Sequence, residues 1–226
     1  MYVNIFTFFK EIPNRPGIIL IGGDNMQNII LLGVPRAGKS TFAKMLVKEF
    51  PNYNILQDDA IVGAYMSASE ELQRERQQDK EYTSITLDMQ LAREISKKTF
   101  ECSIRYEPTL NYLWDTKSLS VEDAYQYKQK GNIVIVFGYP KITAEECFHN
   151  ILKYDTEEDW TYIEPGWRLM RYCKAYTEDS KKFEKDAKKF HLKFVDTSYD
   201  RESALNELLE WVKKQLAVNE NFLFTN

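Results

Sequence analysis

Gly33-Val34-Pro35-Arg36-Ala37-Gly38-Lys39-Ser40 reads G-x-x-x-x-G-K-S, the pattern of a phosphate-binding loop. Asn28-Ile29-Ile30-Leu31-Leu32 runs into it as a short apolar segment of strand type. Phe42, Met45, Leu46 and Phe50 leave it at helical spacing. A strand before and a helix after are the context that gives the pattern its chemical meaning. Gly33 and Gly38 let the backbone turn so that N–H groups point inward at phosphate oxygens. The following helix adds the positive end of its dipole. Lys39 brings a point charge to the outer phosphates, and Ser40 a hydroxyl to Mg²⁺. Gly33, Val34, Pro35, Arg36, Ala37, Gly38, Lys39, Ser40 and Thr41 are therefore the candidate nucleotide-binding residues.

The chain around this loop has 226 residues, which suits one α/β domain with room for an inserted subdomain. Hydrophobic residues make up 43%, enough for a sizeable core. The net charge of −4 and the pI of about 5.4 give no basic excess, which disfavours a polynucleotide substrate. Cys102, Cys147 and Cys173 lie far apart in no metal-binding spacing, as expected in a reducing cytoplasm. No apolar run approaches membrane-spanning length.

Residues 1–9 and 18–21 are apolar but lack the flanks of a good signal peptide. The first core strand of such a protein usually lies near the N-terminus, and Met26 stands just before this one. Residues 21–25 can also be encoded with a ribosome-binding sequence ahead of the Met26 codon. Residues 1–25 are expected to be an extension upstream of a true start at Met26; the alternative is a genuine extra strand or arm.

Further strands are expected at 53–56, 110–115, 133–137 and 192–195, the run Ile133-Val134-Ile135-Val136-Phe137 being the clearest. Residues 60–106 read as a polar, mostly helical insertion, with Leu87, Leu91, Ile95 and Phe100 as its apolar stripe. Ser120 with Asp123 and Thr143 with Glu146 are helix-start signatures. A long helix is expected after Pro165-Gly166 and a last one from about residue 201, with 218–226 a loose tail. Strands alternating with helices imply an α/β fold, a five-stranded parallel sheet covered by helices on both faces. Ligands bind beyond the carboxyl ends of such strands. That rule gathers the loop, Asp58, Asp59, Asp115, residues 138–140 and residues 196–198 at one edge.

The loop, an aspartate ending the second strand, a helical insertion, a strand-end aspartate and a later arginine-bearing segment together resemble the small P-loop kinases of nucleosides, nucleoside monophosphates and shikimate. The likeness covers residues 28–217 in architecture, and only the loop is specific as a motif. It implies ATP with Mg²⁺, a small-molecule acceptor, an acceptor-binding region at about 60–106 and a lid at about 155–174, all within one domain spanning 26–217. Lys39 and Ser40 match the phosphate and Mg²⁺ positions. Asp58, or Asp59 beside it, matches the carboxylate that orients or deprotonates an acceptor hydroxyl, the other reading being a helix cap. Asp115 is similar to the strand-end aspartate that holds Mg²⁺, so Ser40 and Asp115 form the expected metal pair. Arg168 and Arg171 share a helix face and match lid arginines that close on the phosphates. The acidic run Asp155, Glu157, Glu158, Asp159 is unusual for a lid. Residues 138–141 depart from the nucleoside-monophosphate kinase pattern, since Phe137 and Lys141 replace its aspartate and arginine. Arg74, Arg76, Arg93 and Arg105 are possible anion contacts. The alternative function is an ATPase or nucleotide-gated binding protein without a small acceptor; a toxin-type kinase of a nucleotide-sugar shares the same site.

Overall fold

The computed structural model describes residues 27–68, 85–157 and 159–223. The expected N-terminal extension, Arg74, Arg76 and the middle of the helical insertion lie outside these residues. The described elements, in chain order, are β1 (Ile29–Gly33), α1 (Lys39–Glu49), β2 (Tyr53–Gln57), α2 (Asp58–Ala68), α3 (Ile85–Tyr106), β3 (Asn111–Thr116), α4 (Val121–Gln129), β4 (Ile133–Gly138), α5 (Ala144–Tyr154), α6 (Gly166–Lys189), β5 (Lys193–Asp196) and α7 (Arg201–Leu223). The last helix runs to Leu223, into the stretch expected as a loose tail, which contains neither Gly nor Pro.

The five strands form one parallel sheet in the order β2-β3-β1-β4-β5. β1 is central and every one of its residues is buried, which explains why its sequence is continuously apolar rather than alternating. Its side chains divide between the two faces. Ile29 and Leu31 pack with Phe42 and Leu46 of α1, Leu169 of α6 and Val212 of α7. Ile30 and Leu32 pack with Phe100 of α3, Trp114 of β3, and Val121 and Tyr127 of α4. In the second layer Phe100 and Trp114 stack with centroids 4.3 Å apart, and Tyr127 meets both edge-on. Each such pair contributes about 1 kcal/mol beyond area burial.

Both expected capping boxes are present: Ser120 and Asp123 open α4, and Thr143 and Glu146 open α5. α1 is different. Its N-cap is Gly38, at φ 93, and no side chain caps its first amides. The register aligns Leu31 with Asp115, and Asp115 with Gln57. The carboxyl ends of β1, β2 and β3 are thus level. Connections from β1 lead first toward β2 and β3, then from β3 across to β4 and β5. The end of β1 is therefore the switch point where ligands of such sheets bind.

Candidate active site

The loop between β1 and α1 is held by its neighbours. A Cβ on Gly33 would overlap the carbonyl oxygen of Phe137, so only glycine fits beside β4. Thr197 Oγ1 donates to Ala37 O at 3.2 Å, and Tyr139 Oη to Pro35 O at 3.0 Å. Lys39 is buried, and its Nζ donates to Gly33 O at 2.9 Å and Val34 O at 3.0 Å. Burial lowers the Lys39 pKa, while Asp115, Asp59 and Asp58 pull it back up.

Ser40 Oγ donates to Asp115 Oδ2 at 2.6 Å. Burial raises the Asp115 pKa, opposed by Lys39 and by the Ser40 hydrogen bond. A hydroxyl and a carboxylate in contact, at the uncapped start of a helix, are hard oxygen donors of the kind Mg²⁺ takes together with phosphate oxygens. Among the described residues no group of three or more His, Cys, Asp or Glu could cage a metal alone.

Asp58 and Asp59 open α2 but have different surroundings. Asp58 is buried and accepts from Trp114 Nε1 at 2.7 Å, from Ser96 Oγ at 2.6 Å and from Thr116 Oγ1. Both of its oxygens are engaged by β3 and α3. Asp59 is exposed, with Lys117 Nζ 2.7 Å from its Oδ1. Of the two, Asp59 has the stronger electrostatic effect on both Lys39 and Asp115.

Two cavities flank the loop. One, of about 620 Å³, reaches from Gly33, Val34 and Pro35 to Arg93, to Lys117 and the start of α4, and to Tyr176, Asp179 and Phe183 of α6. Arg93 lies in its wall but is engaged, its Nε donating to Ser118 O at 3.2 Å and lying 3.6 Å from Asp123. The other cavity, of about 420 Å³, lies between Arg36, the α5 residues Asn150 and Tyr154, and residues 197–202.

The comparisons fit this arrangement. A scan against protein-family models gives no match, and no curated protein matches in sequence. Solved structures do match. Shikimate kinase from Bacteroides thetaiotaomicron superposes with a TM-score of 0.55 at 15% identity, covering 83% of this chain and 98% of its own. A gluconokinase from Sinorhizobium meliloti 1021 gives 0.53 at 13%, covering 90% and 99%. Shikimate kinase from Acinetobacter baumannii, in complex with shikimate, gives 0.50 at 13%, covering 87% and 96%. The chain shares the fold of these solved shikimate kinase and gluconokinase structures. At these identities the likeness is one of fold.

On this parallel sheet, the loop, Asp58, Asp59 and Asp115 come together at the strand ends. Arg168 and Arg171 line neither cavity. Arg168 is 3.0 Å from Glu164 and lies over the Trp167 ring, and Arg171 has an engagement of its own. Arg105, in the last turn of α3, also lies outside both cavities. Sequence reasoning missed the donors that fix Asp58. One signal was available: Ser96 is a polar residue four positions from both Ala92 and Phe100 on the inward row of α3. It also missed that the acidic run turns inward, Asp155 and Asp159 both pairing with Arg36 of the loop.

Proposed function

We propose that the chain is an ATP-dependent kinase of a small hydroxyl- or phosphate-bearing metabolite, of nucleoside, nucleotide or sugar-acid type. The observation that carries this reading is the Ser40–Asp115 contact beside Lys39, with a carboxylate at the end of β2 and a cavity adjoining the same loop. Loop amides and Lys39 hold the phosphates. Ser40 and Asp115 hold Mg²⁺, which supplies neutralisation of the phosphate charge when bound. The 420 Å³ cavity takes the nucleoside half of ATP, and the 620 Å³ cavity takes the acceptor. The three donors on Asp58 favour a supporting role for it, with Asp59 as the carboxylate that orients the acceptor hydroxyl. Residues 26–217 act as one unit, residues 60–106 contributing to acceptor binding and residues 155–174 serving as the lid from which Arg168 and Arg171 reach the phosphates on closure.

The test is ADP release from ATP and Mg²⁺, with and without a panel of nucleosides, nucleotides and sugar acids. Acceptor-stimulated release with a phosphorylated product supports the kinase. Hydrolysis indifferent to every acceptor supports the ATPase reading instead.

A further inference from the structure

Arg36 occupies a left-handed backbone conformation, with φ 65. This region is unfavourable for a residue with a Cβ, so surrounding contacts must hold it there. Its guanidinium supplies such contacts. Nη1 donates to Asp159 Oδ1 and Nη2 to Asp155 Oδ1. Both acids are fixed in advance. Asp155 ends α5, where its N–H donates to Ile151 O at 2.8 Å, and its side chain is only 5% exposed. Asp159 Oδ2 accepts from Thr156 N at 2.9 Å and Thr156 Oγ1 at 3.1 Å. The acidic base of the expected lid is a built receptor for one loop arginine.

The electrostatic consequence is unusual for a phosphate-binding loop. One cation faces two carboxylates, so Arg36 presents no net positive charge to a phosphate. Each Nη commits one N–H to a carboxylate, and a planar guanidinium held along that edge has its face left to offer. Arg36 also lines the 420 Å³ cavity, with Tyr154 and Tyr199 among the other lining residues. Phosphates held by the loop amides and Lys39 would leave this cavity to the nucleoside half of the nucleotide.

We propose that Asp155 and Asp159 are positioning residues that hold Arg36 away from the phosphates, so that its planar face packs on the base of the bound nucleotide. This rests on the ATP-binding reading above and adds to it a role for the acidic segment. It explains why carboxylates stand beside a phosphate site: they act on Arg36 rather than on the ligand.

The experiment is calorimetric titration of the full chain, in Mg²⁺, with ATP and separately with inorganic tripolyphosphate. Tripolyphosphate carries the charges of ATP without the nucleoside. Arg36→Ala is expected to weaken ATP about tenfold, on the scale of a stacking contact, while tripolyphosphate changes less than about twofold. Arg36→Lys keeps the charge and loses the planar face, so it should follow Arg36→Ala for ATP. The double change Asp155→Asn with Asp159→Asn should weaken ATP and strengthen tripolyphosphate, because a released Arg36 can then reach phosphate. A merely structural clamp would not separate the two ligands. Equal loss of both ligands in Arg36→Ala makes Arg36 a phosphate ligand and overturns the proposal. Unchanged affinity for both overturns it as well. If the double variant does not fold, Arg36→Lys decides the matter. Should the unaltered chain bind neither ligand, the nucleotide reading itself falls and takes this inference with it. Binding of both by the unaltered chain, lost for both in Lys39→Ala, leaves that reading standing whatever Arg36 does.

Discussion

The Ser40 hydroxyl and the Asp115 carboxylate, 75 positions apart in sequence, meet at 2.6 Å where β1 and β3 end side by side. The contact requires the parallel pairing that aligns Leu31 with Asp115, which sets both residues at the mouth of the loop. If this pair holds Mg²⁺, removing the carboxylate should affect the metal complex alone. Asp115→Asn is expected to lower MgATP affinity about tenfold or more while leaving metal-free ATP binding within about twofold, read by titration with and without chelator. Equal affinity for MgATP would remove Asp115 from the metal site.

Lys39→Ala should abolish ATP binding without unfolding the chain. The ammonium is buried against two loop carbonyls, and burial lowers its pKa, so its charged form gains little from the fold. Circular dichroism and the melting temperature should stay close to the unaltered values while calorimetry shows no binding. A large fall in melting temperature would instead make Lys39 a structural residue.

Asp123 offers a test of stability against pH. Burial pushes its pKa up, but hydrogen bonds from Lys97 at 2.6 Å and from the Ser120 side chain and backbone outweigh this and hold it below the ordinary 3.8. A depressed carboxylate stabilises the fold above its unfolded pKa, and the contribution is lost as pH falls through the folded pKa. Asp123→Asn should therefore lower the melting temperature at neutral pH. The difference from the unaltered chain should shrink as pH falls below the ordinary 3.8 and vanish once pH is below the depressed folded value. A difference independent of pH would assign the effect to packing rather than charge.

Local signals carried much of the fold. The glycine-framed loop, the two capping boxes and the apolar run of β4 each announce themselves within a few residues. The strand order, with β1 between β3 and β4, was beyond local reading because it is fixed by which faces of the helices pack together. The same limit applies to the site. Asp58, Asp59 and Asp115 could be placed from strand ends alone. The separation of Asp58 from Asp59 could not, since it depends on Trp114 and Thr116 of β3 and Ser96 of α3 converging on one carboxylate. The meaning of Asp155 and Asp159 was likewise hidden, because their partner Arg36 lies more than a hundred residues earlier.

That separation of the two adjacent aspartates yields the sharpest prediction. Asp58 accepts three donors and is 3% exposed, so its charge is a buried acceptor that β3 and α3 are built around. Asparagine has the same size but removes the carboxylate and replaces one acceptor oxygen with an NH₂ donor, so the Ser96 and Thr116 hydroxyls would have to turn from donating to accepting. Asp58→Asn should cost about 2–4 kcal/mol of stability, seen as an earlier unfolding midpoint in urea. Asp59 is exposed and pairs with the half-exposed Lys117, so Asp59→Asn should leave that midpoint nearly unchanged. Activity should divide the other way. If Asp59 orients or deprotonates the acceptor, Asp59→Asn lowers turnover by about a hundredfold or more at unchanged ATP affinity. Asp58→Asn, measured on the fraction that stays folded, should lose less. A turnover loss confined to Asp58→Asn would return the acceptor role to Asp58 and make Asp59 a surface partner of Lys117. Full activity in both variants would leave this strand end without acceptor chemistry and favour the ATPase reading.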